Sequence, residues 1–379
     1  MNASVADIKN KNGSWLEVKF STQQIIELCL DRENMANTLA SCLENHARLF
    51  VVHGKRSYQS CGAKAMLDDV VLRSGSEMVE FDDFSENPKK DDVNSGLAML
   101  KNNPPDLIIG LGGGSVLDMA KLIKYYSHQA IPLLAIPTTS GTGAESTHFA
   151  VCYINGVKHS ISDNTILPNR VILYPPFTYQ NGKYLTSCTG FDALAQAIEA
   201  YWNINSTTES DECSLQAIDL IYPTLSNEVL SHEDRIKLLI GANYAGHAIN
   251  ITRTTVPHAL SYTLTSKYGY PHGHAVALTF PFFFKYNLRG KAEFYRGIDY
   301  DQYVVKMNKL LSVLKMEDDP YVMMKSYIHR LGLSFDSERN FDDLIVAKGI
   351  NLVRAANTPI SIDEDVIMDA VKSVREIIH

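Results

Sequence analysis

Three imidazoles, His258, His272 and His274, fall within seventeen residues in AINITRTTVPHALSYTLTSKYGYPHGHAVALTFP, residues 248–281. His258 and His272 each follow a proline, which fixes φ and suits the first turn of a helix, so each ring is aimed by a rigid turn at a helix start. Imidazoles presented that way can ligate a metal; they can equally be capped, partly buried core residues. Upstream, in TGFDALAQAIEAYW, Asp192 and Gln196 stand four apart on an alanine-rich pattern of helical period, which puts both side chains on one face, one turn apart. With His258 and His272 they would make a set of one carboxylate, one amide oxygen and two imidazoles for a divalent ion. Taken alone, Asp192 reads as well as an acidic residue favoured near a helix N-terminus.

Two further loops have chemistry in them. GLGGGSVLDMAK, Gly110 to Lys121, follows an apolar run and opens a helical pattern, where glycines let backbone amides approach a pyrophosphate at a helix N-terminus. The spacing is not the GxGxxG of the Rossmann fingerprint, and a tight strand-to-helix turn fits it too. PTTSGTGAES, Pro137 to Ser146, is a second hydroxyl- and glycine-rich turn one strand later. Two such loops on adjacent strand ends favour a nucleotide crevice.

The elements that must carry these loops alternate. LFVVHG (49–54), EMVEFDDF (77–84), DLIIGLGGG (106–114), IPLLAIPTT (131–139) and RVILYPP (170–176) read as strands, with amphipathic helices between the first four, the pattern of a mostly parallel, doubly wound sheet. Beyond about Gln180 the pattern turns helical: 190–201, 210–227, 233–249, 275–284, 303–314, 320–331 and a tail from Ile362. The expectation is an α/β nucleotide-binding domain over residues 1–180 and an all-helical metal and substrate domain over 181–379.

Composition narrows the class. The 379 residues are 45% hydrophobic, enough for two sizeable cores, and the net charge of -8 with no basic tract argues against a nucleic-acid partner. The six cysteines have no CxxC spacing and read as reduced thiols. MNASVADIKNKNG lacks the apolar core of a signal peptide and no apolar run reaches membrane-spanning length, so a soluble, cytoplasmic protein is expected. There is no internal repeat.

GGGSVLDMAK, PTTSGTGAES, the Asp192 helix, PHALSY and YPHGHA, in this order, together with FSENP (84–88) and NLVRAANTP (351–359), resemble the iron-dependent (group III) alcohol dehydrogenase family over nearly the whole chain. The resemblance implies an N-terminal nucleotide-binding domain, a helical C-terminal domain and a divalent metal in the cleft between them, most often Fe²⁺, with Mn²⁺ or Zn²⁺ as alternatives. Asp192, His258 and His272 match the metal-binding pattern. Gly112, Gly113, Gly114 and Ser115, with Asp118, match the segment that holds the pyrophosphate. Asn87, Thr138, Thr139, Thr142 and Lys158 would line the dinucleotide. A small aldehyde would be the substrate and a homo-oligomer, a dimer, the assembly.

Two positions depart from the family. A histidine is usual where this chain has Gln196, and another is frequent where it has Tyr262. An amide oxygen is a harder, weaker donor than imidazole, which favours Fe²⁺ or Mn²⁺ over Zn²⁺. THFAVCYINGVKHS, IEAYWNINSTTES and the 248–275 stretch look most like the branch that reduces phosphonoacetaldehyde to 2-hydroxyethylphosphonate. Arg253 and Lys267, on either side of His258, would supply the cations a phosphonate needs, though both fit helix ends or surface pairs as well. The ion would polarise the aldehyde as hydride arrives, and His274 and Tyr262 are the candidates to pass a proton to the product.

Where NAD-preferring relatives carry an Asp after the first strand, this chain has Gly54, followed by Lys55 and Arg56. Loss of the carboxylate leaves room and positive charge for a 2′-phosphate, so NADPH is expected over NADH. Three other readings stay open: a dehydrogenase of the same family acting on an uncharged substrate, a lyase of the dehydroquinate synthase type, and a binding protein that lost its metal through Gln196.

Overall fold

The computed structural model describes residues 24–155, 157–290, 295 and 297–376. The N-terminal stretch read above for a leader lies outside the described residues. The chain divides into two compact units, Met1–Asn181 and Gly182–His379.

The first unit is built on six parallel strands: β1 (Ile25–Leu28), β2 (Arg48–His53), β3 (Glu77–Phe81), β4 (Leu107–Gly112), β5 (Leu133–Pro137) and β8 (Arg170–Leu173), ordered β1-β8-β5-β4-β2-β3. Parallel strands covered on both faces must be apolar throughout, and β2, β4 and β5 are almost wholly buried. Alternation sends Leu49 and Val51 to one face, with α1 (Arg32–Leu43) and α3 (Ala63–Ser74). It sends Phe50 and Val52 to the other, with α4 (Lys90–Asn102) and α5 (Gly114–Ser127). A single helical turn, α2 (Ser57–Ser60), follows β2. The chain winds one way from β2 to β3 and the other way from β4 to β5, so the switch point lies between β2 and β4. Gly54 and the Gly112–Ser115 loop follow the ends of those two strands.

Three strands differ from the sequence expectation. Strand β1 is only four residues with mixed burial, too short for a periodicity signal. The antiparallel pair β6 (Phe149–Ile154) and β7 (Val157–Ser162) was not anticipated, although Asn155 before Gly156 is a strong hairpin signal; Asn155 has φ of 51°.

The second unit is helical: α6 (Lys183–Tyr201), α7 (Thr208–Leu225), α8 (His232–Thr252), α9 (Val256–Tyr268), α10 (His272–Tyr286), α11 (Tyr300–Val313), α12 (Pro320–Arg330), α13 (Asp343–Lys348), α14 (Leu352–Ala355) and α15 (Glu364–Ser373). Helix α6 is buried around nearly its whole circumference, the mark of a central core helix. It begins seven residues before the expected Gly190, and α9, absent from the expected helices, starts at the turn predicted to aim His258. Helices α7, α8 and α10 pack on α6. The α10 contact depends on Gly273: a Cβ there would fall on the carbonyl oxygen of Cys188 and within 3.0 Å of Asp192 Cβ. That close approach lays the first turn of α10 against the Asp192 face of α6. Among the described residues no helix is long and apolar enough to cross a membrane, and all six cysteines are free thiols.

Candidate metal centre

Three helices of the second unit each bring one donor to a point. Asp192 sits mid-way along α6, His258 lies one residue after Pro257 in the first turn of α9, and His272 opens α10 after Pro271. One ligand atom of each lies within 4.8 Å of the others, and among the described residues no other group of three such side chains is assembled. His258 Nε2 is 3.1 Å and His272 Nε2 3.8 Å from Asp192 Oδ1. Asp192 and His258 are buried, whereas the His272 side chain remains 33% exposed. One carboxylate and two Nε2 imidazoles around a common point, open on one side, fit a divalent ion with a free position.

The tautomers are set from behind. Glu199, two turns after Asp192 on the same face of α6 and fully buried, accepts from His258 Nδ1 at 2.5 Å, from Thr255 N at 2.5 Å and from Thr255 Oγ1 at 2.8 Å. Ser261 Oγ donates to His258 O at 2.8 Å, so its lone pair faces His272 Nδ1 at 3.3 Å. Both rings therefore hold their Nδ1–H away and turn Nε2 inward, the arrangement metal-binding histidines need. Burial alone would depress the His258 pKa, but the charges and hydrogen bonds of Glu199 and Asp192 outweigh it and bring it up to about 9. A bound cation must displace that proton. Glu199 was missed in the sequence, where it looked like part of an ordinary helix; its signal is the seven-residue spacing from Asp192. Counting it, the site with a divalent ion and Asp192 carries no net charge, against +1 without it.

Gln196 is buried one turn after Asp192, with Nε2 3.3 Å from Asp192 Oδ2. The amide nitrogen thus faces the carboxylate, and turning the amide over puts its oxygen in that place, which coordination would require. Gln196→His should tighten zinc about tenfold by exchanging an amide for an imidazole. Chelator competition measures it, and weaker zinc retention in the variant would put Gln196 outside the coordination shell.

Tyr262 stays beside the donors: its ring stacks on His272, centroids 6.2 Å apart, and burial raises its pKa. His274 does not join them, which corrects its expected role as a proton relay. Two residues along a helix is about 200° around it, so His274 faces away from His272. Its Nδ1 lies 2.8 Å from Tyr184 Oη and its Nε2 2.8 Å from Ser334 O, both ring nitrogens spent on structure, and burial lowers its pKa. Lys267 is exposed in the last turn of α9, about 13 Å along the axis from His258, too far to share a small ligand with it. Arg253 caps the end of α8, close to the start of α9.

In the first unit the two glycine- and hydroxyl-rich loops meet. Thr138 N donates to Gly112 O at 3.0 Å, a Cβ on Gly114 would lie 2.7 Å from Thr142 Cγ2, and one on Gly113 would lie 3.4 Å from Thr139 Oγ1. Gly112 has no room for a Cβ either, since Val116 would be 2.5 Å away. Ser115 follows in the first turn of α5. Such bare backbone at a helix start fits a pyrophosphate. Asp118 is turned elsewhere: its Oδ2 accepts from Val151 N at 3.0 Å, tying α5 to the hairpin, and the charge of Lys158 reaches it there. Asn87 is exposed on a segment joined to the hairpin through Tyr153 N and Pro88 O, 2.7 Å apart. Lys55, after Gly54, lies 3.7 Å from Asp83, both exposed.

The first unit is a doubly wound sheet with two phosphate-type loops, and the second is a helical unit that assembles a carboxylate and two histidines of the kind that hold a divalent ion. Residues 30–175 match the iron-containing alcohol dehydrogenase family and residues 186–355 the Fe-containing alcohol dehydrogenase family, C-terminal; the chain belongs to this family. It is 29% identical over 276 residues to aldehyde-alcohol dehydrogenase 2 of Entamoeba histolytica, covering 65% of this chain and 32% of that one. It is 32% identical over 220 residues to a 1-propanol dehydrogenase of Citrobacter freundii, covering 55% and 59%. The matched stretches thus span less than two thirds of these relatives. The structure of an iron-containing alcohol dehydrogenase from Thermotoga maritima superposes with a TM-score of 0.79 at 25% identity, over 94% of this chain and 99% of that one.

Proposed function

We propose that the protein reduces a small aldehyde to a primary alcohol with NAD(P)H and a divalent metal, Fe²⁺ first, and that the aldehyde is phosphonoacetaldehyde, giving 2-hydroxyethylphosphonate. The observation that carries the reading is the convergence of Asp192, His258 and His272, with both histidine tautomers held from behind. When bound, the ion supplies Lewis-acid polarisation of the aldehyde oxygen and the dinucleotide supplies hydride. Asp192, His258 and His272 hold the ion; Glu199 and Ser261 keep Nε2 of each histidine turned inward. The exposed edge of His272 leaves the aldehyde its approach, and Tyr262, against the same ring, supplies a hydroxyl for the product oxygen. The loops at Gly112–Ser115 and Thr138–Thr142 bind the pyrophosphate. Mixing protein, Fe²⁺, phosphonoacetaldehyde and NADPH should consume the reduced cofactor, and propanal should be the poorer substrate. Absence of turnover on every aldehyde, with Fe²⁺ bound, rejects the reading in favour of a lyase or a binding protein.

The same assay decides the cofactor. Gly54 leaves the ribose end without a carboxylate, and Lys55, only partly offset by the exposed Asp83, stands next to it. NADPH should be preferred, and Gly54→Asp should flatten or reverse the preference by adding a carboxylate that repels the 2′-phosphate. The substitution is sterically mild: the new Cβ would meet Ser57 Oγ at 2.6 Å, the end of a side chain that can rotate. A wild-type kcat/KM clearly favouring NADH would show that this turn does not read the ribose.

A further inference from the structure

Thr255 stands just before α9, where a threonine hydroxyl ordinarily accepts from a free backbone N–H of the first helical turn. Here it makes no such bond. Its Oγ1 lies instead 2.8 Å from Glu199 Oε2 and 3.0 Å from Nε1 of Trp202, the residue that ends α6. Thr255, Glu199 and Trp202 are each buried to within 1% of full enclosure, so these bonds are made away from solvent.

The direction of each bond is forced by its ends. An indole nitrogen can only donate, so Thr255 Oγ1 accepts from Trp202. A carboxylate can only accept, so the single hydroxyl proton goes to Glu199 Oε2. The Thr255 backbone N–H meets the same oxygen at 2.5 Å. With two donors on Oε2, Oε1 is left to His258 Nδ1, and Nε2 of that ring faces Asp192. A line of oriented bonds thus runs from Trp202 through Thr255 and Glu199 to His258. Trp202 is fixed in turn by packing: its ring stacks on Phe280, centroids 5.7 Å apart, with Phe284 at 6.0 Å. Both phenylalanines belong to α10, the helix that opens on His272. The indole N–H is therefore aimed by α6 and α10, the two helices that present Asp192 and His272.

We propose that Thr255 and Trp202 are positioning residues of the metal centre. The indole holds the threonine hydroxyl on Glu199 Oε2, and that hydroxyl keeps Oε1 on His258 Nδ1 and so keeps Nε2 turned toward the ion. This rests on the reading of Asp192, His258 and His272 as a metal centre. Three substitutions separate the parts. Thr255→Val removes the hydroxyl at nearly constant shape and keeps the backbone N–H, Thr255→Ser keeps the hydroxyl, and Trp202→Phe keeps an aromatic ring and removes the donor.

The test measures Zn²⁺ affinity by chelator competition, and the visible spectrum of the Co²⁺-loaded protein, in the wild type, the three single variants and the Thr255→Val/Trp202→Phe double variant. Thr255→Val should bind Zn²⁺ about tenfold more weakly and shift the cobalt absorption, because the group behind a ligand histidine sets its orientation and basicity. Thr255→Ser should stay within about twofold of wild type, with an unchanged spectrum, since it supplies the same donor and acceptor. Trp202→Phe should weaken Zn²⁺ about threefold, and the double variant should match Thr255→Val at about tenfold, not about thirtyfold, because the indole acts only through the hydroxyl. Wild-type Zn²⁺ affinity in Thr255→Val overturns the proposal. An equal loss in Thr255→Ser, or a double variant whose losses multiply, makes the two residues structural and overturns it too. If Thr255→Val does not fold, Trp202→Phe is read alone, and wild-type affinity and spectrum there overturn the proposal. A wild type that binds neither ion overturns the metal-centre reading as well, whereas wild-type binding with unaffected variants overturns the positioning role alone.

Discussion

His272→Ala should empty the metal centre and abolish aldehyde reduction while leaving the fold intact. His272 is the outermost donor, its side chain 33% exposed against 3% for Asp192, so its removal opens no core cavity. What remains is a buried carboxylate and imidazole 3.1 Å apart that satisfy each other without an ion. Two ligands do not hold a divalent cation against water, so metal content should fall to near zero. kcat/KM should drop on the order of 10³-fold with loss of several kcal/mol of transition-state stabilisation. Asp192→Asn should do the same with less change of shape, because the anion is what the cation recognises. Elemental analysis of protein purified without chelator, paired with the aldehyde assay, gives the answer. Full metal content and turnover in His272→Ala would remove it from the ligand set.

Glu199→Gln should weaken metal binding by about 10- to 100-fold without touching a ligand, the cost of disturbing the group that orients a metal-binding histidine. The carboxylate accepts from three donors, His258 Nδ1, Thr255 N and Thr255 Oγ1, and an amide must turn its own N–H against at least one of them. His258 then has no fixed reason to keep Nε2 inward. Glu199→Ala leaves all three donors buried without their acceptor and should cost several kcal/mol of stability as well, visible as a large fall in Tm. Metal titration monitored by competition with a chelator separates the two effects, because Glu199→Gln should keep most of its thermal stability. A metal Kd within about twofold of wild type in Glu199→Gln would show that the carboxylate serves folding and not the centre.

The local signals in the chain were strong where one element decides an orientation. The apolar runs at 49–54, 106–114 and 131–139 became β2, β4 and β5 because a strand covered on both faces must be largely apolar. The prolines before His258 and His272 put both rings in first helical turns, and the four-residue spacing put Asp192 and Gln196 on one face of α6, because backbone geometry alone fixes those directions. Strand β1 and the β6–β7 hairpin left no clear periodic signal, the first for its length and the second because FAVCYI is apolar throughout and VKHSIS largely polar, so neither strand alternates cleanly.

Only tertiary structure decided which of these oriented side chains meet. His272 and His274 are indistinguishable in composition and differ by two positions, yet one meets Asp192 midway along α6 and the other is locked between Tyr184, in the first turn of α6, and Ser334. That choice is made by Gly273, whose missing Cβ lets α10 approach the Cys188 carbonyl. Lys267 and Arg253 looked equivalent on either side of His258, but a helix carries the first away along its axis, whereas a turn keeps the second near its start. Glu199 lies 59 residues before His258, and no local pattern connects it to that histidine. Periodicity and turn chemistry encode where a side chain points relative to its own element; the partner it finds there depends on helix packing, which is set by contacts spread over the whole unit.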